Sequence, residues 1–159
     1  MSTIVVVSGN PRPGSRTLVL ATAVATAIAH AQGAAEPAVV DAGALGAGLL
    51  TPGDPDTAGA LALIRAAEVL VVATPTYKGS YTGVLKVLLD QLPAAALAGK
   101  RAVPVVTAGI APQAAAAGAL LRQLLAEVGA EVGDELTVTE AELGESAAVA
   151  EKYVTARAW

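Results

Sequence analysis

The chain has no cysteine and no phenylalanine, and it has one histidine, one tryptophan and three tyrosines among 159 residues. Without cysteine, disulfides, thiolate nucleophiles, cysteine-ligated zinc and iron–sulfur clusters are excluded. The single histidine, His30, lies near the end of the first predicted helix, where its positive form would favourably meet the helix dipole. We therefore expect no metal site, and a core built from aliphatic side chains.

Positively charged residues are also scarce: the chain has 10 Lys and Arg against 14 Asp and Glu, which gives a formal net charge of −4. A general nucleic-acid-binding protein normally presents a basic face, so this class is disfavoured. No apolar run has the length of a membrane span, and residues 1–3 have neither the basic region nor the cleavage site of a signal peptide. We expect a cytoplasmic protein with no nucleic-acid partner and no membrane partner.

Hydrophobic residues make up 54% of the chain, which is ample for one compact domain over residues 1–159. The apolar patterns predict strands at 4–7, 38–41, 68–73, 101–106 and 135–139, and helices at 15–32, 56–67, 83–92, 112–128 and 146–157. Residues 43–55 are rich in Gly, Pro and Asp and are predicted to be loop. Alternating strands and helices predict an α/β fold with a parallel sheet, in a Rossmann-like or a flavodoxin-like winding.

The loop after the first strand has the composition of an anion site. It supplies Ser8, Asn10, Arg12, Ser15, Arg16 and Thr17 immediately before a helix, whose first amides and dipole favour negative charge. A dinucleotide turn would have the pattern G-x-G-x-x-G, whereas this loop has Gly9 and Gly14 alone. Its arginines and hydroxyls suit a terminal monoester phosphate, which favours a mononucleotide such as FMN. The alternative is an ordinary turn with a helix N-cap.

Two further loops follow the third and fourth predicted strands, at the same edge of the sheet. They contain Pro75, Thr76, Tyr77, Lys78, Gly79 and Ser80, and then Thr107, Ala108 and Gly109. We expect Tyr77 to lie against a planar ring and the amides of residues 78–80 and 107–109 to reach its polar edges. In the alternative interpretation, Lys78 is a solvated loop charge, and for Tyr81 we favour a covering role over the apolar underside of its loop.

These motifs resemble the NADPH-dependent FMN reductases of flavodoxin-like fold. The resemblance rests on residues 8–12 with 15–17, on residues 75–86 with 89–90, and on residues 107–109, and it extends to about residue 131. It implies a flavodoxin-like three-layer sandwich with a five-stranded parallel sheet of order 2-1-3-4-5. The chain is most similar to the flavin reductases that supply reduced FMN to two-component monooxygenases of the alkanesulfonate type.

The resemblance implies hydride transfer from NADPH or NADH to FMN, with no catalytic side chain, because the flavin carries the redox chemistry. Arg12, Arg16 and Thr17 would hold the phosphate. The resemblance also implies a homodimer or homotetramer, and a flavin-dependent monooxygenase as partner. The chain departs from the family at two places. It has Asn10 where Ser is common, and it has no Tyr within residues 111–119, where some members carry one. If that Tyr weakens FMN binding in those members, this chain would hold FMN more firmly.

Three alternatives stay open on the sequence. The first is a quinone or azo reductase that keeps FMN bound. The second is a flavodoxin-type electron carrier, whose phosphate loop normally lacks arginines such as Arg12 and Arg16. The third is a response-regulator-like domain without flavin, which would have an acidic pocket where this chain has Ser8 and Asn10.

Overall fold

The computed structural model describes residues 2–159. The strands are β1 (Ile4–Ser8), β2 (Ala38–Asp41), β3 (Val69–Pro75), β4 (Arg101–Ala108), β5 (Glu131–Val132) and β6 (Leu136–Thr139). The helices are α1 (Arg16–Gln32), α2 (Ala42–Leu45), α3 (Pro55–Ala66), α4 (Gly83–Asp90), α5 (Ala111–Glu127) and α6 (Ser146–Thr155), with 3-10 turns at Gly46–Leu50 and Glu140–Glu145. Within the described part of the chain, no helix is long and apolar enough to cross a bilayer.

The sheet is parallel and has the order β2-β1-β3-β4-β5, which confirms the predicted order 2-1-3-4-5. The fifth position is divided, because β5 and β6 both pair with β4, one after the other. Between them, Gly133 still donates its amide to the Ala102 carbonyl of β4, and regular pairing resumes at Leu136. Arg122 of α5 donates to the Gly133 carbonyl and Tyr153 of α6 donates to the Asp134 carbonyl, so side chains replace the missing backbone partners.

The central strands β1, β3 and β4 bury both faces, as their continuous apolar runs predict. Val5 and Val7 of β1 face a core shared with α3, α4 and α5, while Ile4 and Val6 face a second core shared with α1 and α6. Helices therefore cover the sheet on both sides, and the three-layer flavodoxin-like architecture is confirmed.

The prediction that residues 43–55 form only loop is wrong for the first part of that segment. It contains α2 and the turn at Gly46–Leu50, which is anchored by the buried side chain of Leu49. Helix α3 is capped by Asp54, whose carboxylate accepts the Thr57 amide at 2.9 Å. Gly43 allows α2 to approach the loop after β1, because a Cβ there would lie 2.7 Å from the Asn10 carbonyl oxygen.

Gly9 brings the end of β1 against helix α4. Its amide donates to the Ala73 carbonyl at 2.7 Å, and a Cβ at this position would lie 2.7 Å from the Leu85 Cβ. The Leu85 Cβ is attached directly to the backbone of α4, so it cannot move aside as the end of a flexible side chain could. The separation between β1 and α4 therefore depends on glycine.

We expect Gly9→Ala to lower the free energy of unfolding by about 1–3 kcal/mol, because α4 must move to admit the methyl group. The control is Gly59→Ala on the exposed side of α3, where an added Cβ meets no atom within 4 Å. This control should raise stability by about 0.5–1 kcal/mol through helix propensity. Urea denaturation measures both; equal effects of the two substitutions would contradict the close packing at Gly9.

Candidate functional site

The loops after β1, β3 and β6, together with the end of β4, surround one cavity of about 390 Å³ at the carboxyl edge of the sheet. It is lined by Asn10, Arg12, Gly14, Ser15, Arg16, Thr17, Pro75, Tyr77, Thr107, Glu140 and Leu143. All of these except Gly14, Glu140 and Leu143 are among the cofactor-binding residues predicted from the sequence. A larger groove of about 490 Å³ borders α3 and α4, but its lining contains no lysine or arginine. The chemistry therefore favours the cavity at the sheet edge.

The start of α1 offers unpaired amides to this cavity. Ser15 is the N-cap, and its hydroxyl accepts the Leu18 amide at 3.2 Å. The amides of Arg16 and Thr17 donate no hydrogen bond to any protein atom within residues 2–159. Because the helix dipole places positive potential at the same point, this end of the cavity is suited to an anion.

Asn10 shapes the loop that precedes this helix. Its Oδ1 accepts the Arg12 amide at 2.9 Å, and its Nδ2 donates to the Thr17 hydroxyl at 3.2 Å. The guanidinium groups of Arg12 and Arg16 form no ion pair within the described chain. Both are exposed and available to a ligand. We call the set Asn10, Arg12, Ser15, Arg16 and Thr17 the cradle.

Two carboxylates near the cradle are absent from the sequence-predicted site. Asp41 ends β2, and its Oδ2 accepts the Gly14 amide at 2.9 Å while its Oδ1 is buried without a partner. Glu140 directly follows β6 and lines the cavity. Both residues lie at carboxyl ends of strands, so the rule that locates ligand sites in parallel sheets also points to them.

The loop after β3 presents a tight turn to the same edge. Tyr77 and Ser80 exchange backbone hydrogen bonds of 2.9 and 3.1 Å around Lys78 and Gly79, whose φ angles are 52° and 79°. Two positive φ angles are typical of a type I′ turn, which explains the glycine. The amides of Lys78 and Gly79 donate to no protein atom within residues 2–159. The exposed residue Tyr77 lines the cavity, whereas residues 78–80 do not.

The third predicted loop is shorter than expected. Thr107 and Ala108 are strand residues, because β4 continues to pair with β6 up to Thr139. The Thr76 hydroxyl donates to the Thr107 carbonyl at 2.9 Å, which joins the second and third loops. Gly109 is the first residue outside the ladder, and within the described chain its amide has no acceptor. Of these residues only Thr107 lines the cavity.

Ser8 occupies a different place from the rest of the predicted site. It lies on the strand face of Ile4 and Val6, fully buried, and its hydroxyl has no partner within the described residues. It does not line the cavity. The structure therefore places Ser8 in the buried end of β1, outside the residues that line the cavity.

Thr82 connects the first and second loops, although sequence analysis does not assign it to the site. Its buried hydroxyl donates to the Gly9 carbonyl at 2.5 Å and accepts the Leu85 amide at 3.1 Å, as the N-cap of α4. Its own amide donates to the Thr74 hydroxyl at 3.1 Å. One side chain thus fixes the ends of β1 and β3 and the start of α4.

The fold and the loop arrangement define a flavodoxin-like α/β protein, with the cradle at the carboxyl end of β1. The model of the NADPH-dependent FMN reductase family matches residues 2–142, and the chain belongs to this family. The match includes every loop that surrounds the cavity up to Glu140.

Individual relatives match over shorter stretches. An FMN reductase (NADPH) of Escherichia coli strain K12 is 41% identical over 68 residues, covering 43% of this chain and 36% of that protein. A protein of the same name from Pseudomonas putida is 51% identical over 47 residues, covering 30% of this chain and 24% of that protein. The aligned stretches thus span about a third and a quarter of these relatives. A solved apo structure of an NADH:FMN oxidoreductase has a TM-score of 0.77 at 28% identity, covering 99% of this chain and 91% of that one.

We expect Thr82→Ala to destabilise the protein by about 1–3 kcal/mol, because the Gly9 carbonyl and the Leu85 amide both lose a buried partner. Thr82→Ser keeps the hydroxyl and loses one methyl group, so it should cost about 1 kcal/mol or less. Chemical denaturation of the three proteins provides the comparison. Equal stability of the Ala and Ser variants would show that the hydroxyl does not tie the two loops together.

Proposed function

We propose that the protein is an NAD(P)H:FMN oxidoreductase, in which NADPH or NADH delivers hydride to FMN at the cavity. The observation that carries the proposal is the convergence of an anion cradle with two further loops that present free amides at the same sheet edge. Membership of the NADPH-dependent FMN reductase family supports it. The likeness to an NADH:FMN oxidoreductase structure is consistent with the same chemistry.

The cradle fits the phosphate of FMN. Arg12 and Arg16 have guanidinium groups without protein partners, and the amides of Arg16 and Thr17 are free of protein acceptors in the described chain. A phosphate monoester carries nearly two negative charges at neutral pH, so it would gain charge-assisted hydrogen bonds here. Asn10 and Ser15 hold the loop and the helix start in this geometry.

The second and third loops fit the ring end. Tyr77 offers an exposed aromatic face, and the amides of Lys78, Gly79 and Gly109 are unpaired donors within residues 2–159. FMN, when bound, supplies the hydride-accepting ring. The role of the protein is to orient that ring and to place amide dipoles where negative charge develops on reduction. We therefore assign the loop residues to cofactor binding and no side chain to acid–base catalysis.

We extend the proposal to the protein's surroundings. Reduced flavin would pass to an acceptor, of which a flavin-dependent monooxygenase is the one the family resemblance favours. We propose a homodimer or homotetramer that works in the cytoplasm, where NAD(P)H is available. Helix α4 carries an exposed ion pair between Lys86 and Asp90 at 2.7 Å, which would suit either a solvent-facing or an intersubunit surface.

The direct test is an anaerobic titration of the protein and FMN with NADPH, followed by NADH, while flavin absorbance is recorded. Bleaching that depends on the protein supports the proposal. Protein that is yellow when purified favours a bound FMN, as expected for a quinone or azo reductase, whereas colourless protein that turns over added FMN favours FMN as substrate. FMN binding without reduction by either nucleotide would indicate an electron carrier and contradict the proposal.

Arg12→Ala should weaken FMN binding at least about tenfold, because a charge-assisted hydrogen bond to phosphate contributes about 1.5–3 kcal/mol. Riboflavin lacks the phosphate, so its dissociation constant should not change. The matched control is Arg65→Ala, which removes an exposed arginine from the last turn of α3. Fluorescence titration of wild type and both variants with FMN and riboflavin measures the six dissociation constants, and an unchanged FMN constant in Arg12→Ala would remove Arg12 from the site.

A further inference from the structure

We propose that Glu140 and Asp41 are counter-charges of the cradle, which hold its affinity for the flavin phosphate below the value that Arg12 and Arg16 alone would give. The inference rests on the proposed function, because it concerns the same ligand. It concerns two residues that specify how tightly the phosphate is bound, not whether the flavin is reduced.

Glu140 is placed at the cavity by a fixed turn. The turn at Glu140–Glu145 begins with a capping box, in which the Glu142 carboxylate accepts the Thr139 amide at 3.0 Å and the Thr139 hydroxyl at 2.8 Å. These hydrogen bonds hold the pKa of Glu142 below its ordinary value. The Glu142 carboxylate is therefore engaged by Thr139. Glu140, in contrast, lines the cavity and forms no ion pair within the described chain.

Asp41 lies behind the cradle loop. Its Oδ2 accepts the amide of Gly14, a residue that lines the cavity, and its buried Oδ1 has no partner within residues 2–159. Apart from the Gly14 amide, no group of the described chain donates to this carboxylate. No cation of the described chain forms a salt bridge with it.

The cradle loop itself has few donors left for a phosphate. Pro11 and Pro13 have no amide hydrogen. The Arg12 amide is taken by Asn10, and the Gly14 amide is taken by Asp41. The positive potential therefore comes from two guanidinium groups and the start of α1, while Glu140 lines the same cavity and Asp41 binds the cradle loop at Gly14. A nearly dianionic phosphate is attracted by the first set and repelled by the second.

The affinity of the site for phosphate is therefore limited by the repulsion from Glu140 and Asp41. In exposed and salt-screened surroundings, a single charge changes binding only modestly, by about two- to fivefold. Such a limit favours exchange of FMN with solvent over permanent retention. It acts independently of the ring-binding loops.

The test compares Glu140→Gln with wild type in fluorescence titrations of FMN and riboflavin at low and high salt. Glu145→Gln is the control, because it removes an exposed carboxylate from the same segment at a residue that does not line the cavity. We expect Glu140→Gln to bind FMN about two- to fivefold more tightly at low salt, with the gain shrinking at high salt. Riboflavin affinity and the control variant should match wild type.

Asp41→Asn should act in the same direction, because the amide oxygen still accepts from Gly14 while the charge is lost. If this variant does not fold, Glu140→Gln alone decides. Unchanged FMN affinity in Glu140→Gln, or an equal gain for riboflavin, would overturn the inference while the proposed function stands. Wild-type protein that binds no FMN would instead contradict the proposed function itself.

Discussion

The contact between Gly9 and helix α4 is the constraint on which the site depends. Gly9 lies against Leu85, and the Thr82 hydroxyl bridges the Gly9 carbonyl and the Leu85 amide. These bonds are buried, so losing either partner would leave a polar group without water. The junction fixes the end of β1 relative to the turn after β3. The cradle and the Tyr77 turn therefore open into one cavity instead of lying apart on the sheet edge.

The residues around the cavity offer a ligand both backbone amides and charged side chains. At one end, helix α1 supplies free amides and Arg12 and Arg16 supply charge. Beside the cavity, the turn after β3 holds the amides of Lys78 and Gly79 without protein acceptors in the described chain, while Tyr77 of the same turn lines the cavity. None of this requires a titrating side chain. The arrangement suits a ligand that brings its own redox chemistry, and family membership is in accord with that view.

The fold was predictable because β-branched runs and amphipathic helices alternate, and the sheet order followed from the family resemblance. The short helix α2 is not predictable from its sequence, because it has no side-chain cap and depends on tertiary contacts such as the burial of Ala42. The division between β5 and β6 depends on side chains of Arg122 and Tyr153 that are distant in sequence. Glu140 escaped prediction because only the assembled loops show that it lines the cavity, although its position after a strand was visible.

The most direct measurement is a crystal structure of the protein soaked with FMN. We expect the phosphate at the start of α1, within hydrogen-bond distance of the Arg16 and Thr17 amides and of the Arg12 guanidinium. We expect the ring between the Tyr77 turn and Gly109. A flavin phosphate outside the cradle, or a ring in the groove beside α3 and α4, would contradict the central claim that this cavity is the flavin site.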